Sequence, residues 1–85
     1  MSIEGKVAVV TGAARGLGRA IAQRLSEDGV LVAAWDLNVE GAQETAALIR
    51  EQGRRAIACG GDASSPSDIA AALEQTRDEL GRVSI

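Results

Sequence analysis

Gly12, Gly16 and Gly18 punctuate the segment Thr11-Gly12-Ala13-Ala14-Arg15-Gly16-Leu17-Gly18, just after an apolar run and at the opening of a helical pattern. Glycines at such a junction let main-chain amides hold an anion. Gly12 permits a tight turn out of the strand. Gly16 has no Cβ to keep a pyrophosphate off the backbone, and Gly18 lets the helix lie close to the strand. The free N–H groups at the helix start, that of Leu17 among them, point at the anion, and the helix dipole favours it. The spacing Gly-x-x-x-Gly-x-Gly differs from the Gly-x-Gly-x-x-Gly of the general dinucleotide fingerprint. No Gly-Lys-Ser/Thr follows, so the segment is not a P-loop. A glycine-rich turn without a ligand is the alternative; the placement between strand and helix weighs against it.

Two acids extend the pattern. Asp36 stands at the carboxyl end of the second apolar run, where a carboxylate can accept hydrogen bonds from ribose hydroxyls and repel a 2′-phosphate. An ordinary strand-end turn is the competing reading. Leu37 then flanks an adenine pocket. Asp62, with Ala63, follows the third apolar run at the same sheet edge; the pair can reach the adenine rim, or Asp62 can be a plain turn residue. Arg15, inside the glycine loop, faces the adenosine side. A basic residue there suits a 2′-phosphate, but Asp36 outweighs it because it sits where the ribose hydroxyls should lie. Arg19 reads as a solvated helix residue. Cys59 reads as a buried small hydrophobe and Trp35 as packing against a helix. Glu40, Glu44, Glu51, Arg50, Arg54 and Arg55 read as solvated surface around the second helix.

The elements that must position these residues follow from periodicity. Strands are expected at residues 6–10, 30–35 and 55–59, and helices at 16–28 and 39–52, with a third after residue 65. Gly29 and Gly53 close the first two helices and Asn38 caps the second. Ser65 caps the third, with Pro66 at its first position and Asp68 in its first turn. The expected buried stripes are Leu17, Ile21 and Leu25; Ala42, Ala46 and Ile49; and Ile69, Leu73, Thr76 and Leu80. Gly81 ends the third helix, and residues 82–85 open a fourth strand. The order β-α-β-α-β-α-(β) predicts an α/β fold: half of a doubly wound Rossmann fold with a parallel sheet of strand order 3-2-1.

Composition narrows the partners. The 85 residues carry a net charge of −3 and no His, which argues against nucleic acid and against an anionic membrane surface. One Cys excludes an internal disulfide and, without His, zinc ligation. No apolar signal or membrane-length segment is evident, so the expected location is the cytoplasm. Residues 1–85 read as one partial domain with no internal boundary.

Together, Thr11 through Gly18, Asp36, and Gly61-Asp62-Ala63-Ser64 before the third helix resemble the N-terminal part of the short-chain dehydrogenase/reductase family. The closing Gly81-Arg82-Val83-Ser84-Ile85 looks like that family's approach to its fourth strand. The resemblance implies that Thr11 through Gly18 bind a cofactor diphosphate and shape the nicotinamide side. It implies that Asp36 selects NAD(H) over NADP(H), and that Asp62 and Ala63 contact adenine. The family's Asn-Asn-Ala-Gly motif, catalytic Ser and Tyr-x-x-x-Lys pair have no counterpart in these residues. The chain contains no Tyr, and its single Lys is Lys6, before the first strand. No catalytic residue is therefore assigned. The expectation is the cofactor-binding half of an alcohol–carbonyl oxidoreductase, inactive alone. The alternatives are a non-catalytic nucleotide-binding module or minimal scaffold, and a methyltransferase-like domain, which the leading Thr11 disfavours. An uncovered first strand predicts self-association, or pairing with the missing C-terminal half.

Overall fold

Apolar strands alternate with amphipathic helices in the order β1 (Val7–Thr11), α1 (Gly16–Glu27), β2 (Leu31–Asp36), α2 (Val39–Glu51), β3 (Ala56–Gly60) and α3 (Pro66–Glu79). The computed structural model describes residues 3–85. The three strands form a parallel sheet in the order β1-β2-β3, the expected 3-2-1 sheet. Val7 pairs with Leu31 and Thr11 with Trp35; Val32 pairs with Ala56 and Asp36 with Gly60.

Strand alternation sorts the core into two layers. Ala8, Val10, Val32, Ala34 and Ala56 face α1 and α2, where Ala22, Ala42, Ala46 and Ile49 meet them. Ala33, Trp35 and Cys59 face α3 through Ala72, with Val9, Ile57, Ile69 and Leu80 partly buried beside them. Small side chains dominate the first layer, so the helices approach the sheet closely. Trp35 packs under a helix as expected, and Cys59 is buried. Burial pushes the Cys59 thiol above its ordinary pKa, which keeps it protonated and unreactive.

The caps are as the sequence implies. The Asn38 side chain accepts from the Gly41 N–H, and the Ser65 side chain from the Asp68 N–H. Gly29, at φ +87°, lets its own N–H reach Ser26 and the Val30 N–H reach Leu25. That is a Schellman closure of α1.

Three expectations need correction. Each strand lies one residue later than the apolar runs suggest, because ladder partners set its ends. β1 continues to Thr11 because Thr11 pairs with Trp35. Each strand thereby ends on a residue of the loop edge: Thr11, Asp36 or Gly60. Second, Leu17 and Ile21 are exposed, at 77% and 43%. The sheet-facing stripe of α1 is Gly18, Ala22 and Ser26, one residue round the helix, a turn of about 100°. A Cβ on Gly18 would lie 1.9 Å from the Gly12 carbonyl oxygen, so the small residues take the close face. Third, Leu73 is exposed at 42%, while Ala72 is buried.

Val83 makes a parallel bridge to Val7. The Val9 N–H donates to Ile85, and the Ser84 N–H to Val7. The last residues thus run beside β1, on the side away from β2. No helix among the described residues is long and apolar enough to cross a membrane.

Candidate functional site

The glycine loop hangs between β1 and α1 at the carboxyl edge of the sheet. Gly12 and Gly16 have φ of +66° and +57°, the left-handed region that glycine enters at least cost. A Cβ at either position would meet nothing within 4 Å. At Gly16 the missing side chain therefore opens space rather than relieving a clash. Arg15 is the N-cap residue of α1, but its side chain makes no capping bond, and the first turn holds no acid. The opening turn of α1 thus has neither a side-chain cap nor an acidic residue of its own, unlike those of α2 and α3. Such a helix start favours an anion.

Asp36 ends β2 beside this loop. Its carboxylate accepts the Asn38 N–H at 2.9 Å and the Ala14 N–H at 3.0 Å, one on each oxygen. These two bonds, Asn38 first, together with the Arg15 charge, hold its pKa below the ordinary carboxylate value. Each oxygen keeps lone-pair capacity for a further donor. Arg15 itself is exposed.

Across the edge, the Asp62 side chain accepts from the Ser64 hydroxyl at 2.7 Å and the Ser64 N–H at 2.8 Å. Those bonds lower its pKa, the hydroxyl most. The turn role weighed for Asp62 is therefore realised, in a residue that still lines the site. The Asp62 N–H is held by Asp68 at 2.9 Å, and the Trp35 indole N–H holds the Gly61 carbonyl at 3.0 Å. Thr11, Gly12, Trp35, Asp36, Leu37 and the Gly61–Ala63 turn enclose a groove of about 150 Å³. It is smaller than the ~300 Å³ at which drug-sized ligand pockets begin. Leu37, 77% exposed, forms its lip. The structure thus gathers Gly12, Asp36, Leu37, Asp62 and Ala63 round one groove. Arg15, Gly16, Leu17 and Gly18 form the adjoining helix start.

Arg19 departs from its expected solvated role. Its guanidinium donates to Thr45 at 2.9 Å, to the Ala14 carbonyl at 2.6 Å and to Glu44 at 3.2 Å. The Thr45 hydroxyl, fully buried, donates to the Ala13 carbonyl at 2.6 Å. The surface charges are likewise more engaged than expected. Arg50 donates to the Ala56 carbonyl and Arg55 to that of Glu79. Sequence reasoning missed Thr45, and gave Asp68 a place in the first turn of α3 but not its bond to the Asp62 N–H. A signal for Thr45 existed: it is a polar residue on the face shared by Ala42, Ala46 and Ile49.

A parallel α/β sheet with a glycine loop leading into an uncapped helix defines a nucleotide-binding unit of the doubly wound class. Comparison with known proteins refines this. The short chain dehydrogenase family profile matches residues 6–85, and the chain belongs to that family. It is 42% identical over 85 residues to D-threitol dehydrogenase of Mycolicibacterium smegmatis, covering 98% of this chain and 32% of that protein. It is 39% identical over 82 residues to 3-oxoacyl-(acyl-carrier-protein) reductase FabG of Pseudomonas aeruginosa, covering 96% and 33%. A crystal structure of hydroxysteroid dehydrogenase from Escherichia coli superposes with a TM-score of 0.93 at 32% identity, covering 99% of this chain and 36% of that one. A Haemophilus influenza structure with bound NAD superposes with a TM-score of 0.91 at 27% identity, covering 96% and 29%. The chain spans about a third of the length of the curated relatives it matches. Family membership implies a nicotinamide dinucleotide cofactor. The open space at Gly16, the uncapped amides and the ionised Asp36 fit one.

Proposed function

We propose that the chain is the NAD(H)-binding segment of a short-chain dehydrogenase/reductase whose whole protein interconverts an alcohol and a carbonyl compound. The observation that carries this is the meeting, at one sheet edge, of a bare helix start with a carboxylate that two backbone amides hold ionised. The amides of Gly16, Leu17 and Gly18 would hold the diphosphate. Asp36 would accept from the adenosine ribose hydroxyls, and Leu37, Asp62 and Ala63 would border adenine. When bound, the dinucleotide supplies hydride transfer; the residues of this chain bind and orient it. With no Tyr in the sequence, the family's proton-transferring residue is not among these 85, so the chain alone binds without turning over.

NAD preference follows from charge. Asp36 presents a fixed negative group where NADP carries a 2′-phosphate, and like charges at contact distance repel. Arg15 is the counterweight, but it is exposed and held only by attraction. Calorimetric titration of the 85-residue chain tests this. NAD should bind at least about tenfold more tightly than NADP, and Asp36→Ala should erase the difference. Equal affinities in the parent chain, or an NADP preference, would remove Asp36 from the role given it. If the chain binds S-adenosylmethionine and no dinucleotide, the whole reading fails.

A further inference from the structure

We propose that Arg19 and Thr45 are positioning residues for the dinucleotide: they suspend the Ala13–Ala14 stretch of the glycine loop from α2 and so fix where its amides lie. The inference rests on the reading that this loop holds the diphosphate.

The main-chain groups of Ala13 and Ala14 are all engaged. The Ala13 N–H donates to Trp35 at 3.2 Å, and its carbonyl accepts from Thr45 at 2.6 Å. The Ala14 N–H donates to Asp36 at 3.0 Å, and its carbonyl accepts from Arg19 at 2.6 Å. Arg19 Nε in turn donates to the Thr45 hydroxyl at 2.9 Å. One hydroxyl thus receives from the guanidinium and gives to the loop.

The bonds close a ring. Asp36 ties the loop to the start of α2 through Ala14 and Asn38. Arg19 and Thr45 tie the same loop to α2 about two turns further on. Gly41 brings the two together, since a Cβ there would lie 2.6 Å from the Ala14 Cβ. With the carbonyls of Ala13 and Ala14 drawn toward α2, neither of them can swing into the anion's place. A carbonyl there would repel a diphosphate, whereas an amide attracts it. The exposed Arg19–Glu44 ion pair adds little. The buried Thr45 hydroxyl also lies 3.2 Å from the Gly41 carbonyl of its own helix, but its single proton has the shorter contact, 2.6 Å, to the loop.

Three variants of the 85-residue chain test this. Thr45→Val keeps the volume and removes the hydroxyl. Thr45→Ser restores the hydroxyl. Arg19→Met changes a partly exposed side chain and keeps the test open if Thr45→Val does not fold. Two readouts apply: NAD affinity by calorimetry, and the pH titration of the Asp36 carboxyl carbon by NMR without ligand. Thr45→Val and Arg19→Met should bind NAD about tenfold more weakly, with the Asp36 titration moved upward as the Ala14 N–H drifts away. Thr45→Ser should stay within about threefold of the parent. Affinity unchanged in folded Arg19→Met overturns the proposal. So does an affinity loss with the Asp36 titration unmoved, or one that Ser does not rescue, because general loosening would give that. If the parent chain itself binds no NAD, the functional reading fails separately, and the ligand-free Asp36 titration alone decides whether the loop is held in this way.

Discussion

Asp36 serves both the fold and the proposed ligand, and its protonation links the two. In the folded chain its carboxylate is stabilised chiefly by the Asn38 and Ala14 amides, each outweighing the opposing desolvation, and less by the Arg15 charge, so its pKa is depressed. A carboxyl with a depressed folded pKa adds stability above its unfolded pKa, about 3.9, and loses that contribution as pH falls through the folded value. Asp36→Asn lacks this linkage. The melting temperature of the parent should therefore exceed that of Asp36→Asn near neutrality, and the gap should shrink below about pH 4. A gap that stays constant down to about pH 2 would show that the two amides do not favour the charged form. Asp62 shifts in the same direction through Ser64. It is unchanged in that variant, so the comparison isolates Asp36.

At the scale of elements, the glycines of one loop have separable duties. Gly18 faces β1, and an added Cβ would meet the Gly12 carbonyl oxygen at 1.9 Å. The obstructing atom is backbone, so α1 or the loop must shift. Gly18→Ala should cost about 3 kcal/mol or more, at the upper end of overpacking. Gly16 has a positive φ but open space around it. Gly16→Ala should cost only the left-handed penalty, about 1–2 kcal/mol, yet lose NAD binding because its methyl fills the cradle. Urea unfolding and calorimetry on both variants check this; equal stability losses would merge the two duties. The order of elements, the glycine loop and the helix caps were legible because their signals are local, in spacing and in cap residue type. The buried face of α1 was not. Of the expected Leu17, Ile21 and Leu25, only Leu25 packs against the core, while the close contact at Gly18 selects the small residues for the rest of that face. The Arg19–Thr45 bond was hidden for another reason: its partners stand 26 residues apart, and only the assembled α1–α2 layer brings them together. Strand ends slipped by one residue because pairing, not the apolar run, decides where a parallel strand stops.

Across the whole molecule, the described residues pack to a radius of gyration of 11.4 Å, close to the roughly 12 Å expected for a folded domain of this length. The two sheet faces are covered unequally. α1 and α2 share one, and α3 alone covers the other, where Val9 and Ile57 remain partly exposed. Beside β1 the residues 83–85 bond only to Val7 and Val9, so the edge toward Thr11 lacks a partner strand among the described residues. An apolar half-covered face next to a parallel edge favours pairing with another chain. We therefore expect the 85-residue chain to self-associate reversibly. Sedimentation velocity over a dilution series should show the mean sedimentation coefficient rising with concentration. Val9→Lys places a charge on that face and should return the chain toward monomer, with circular dichroism confirming that the helices persist. A single monomeric boundary at every concentration of the parent chain would show that α3 and residues 83–85 already shield the sheet.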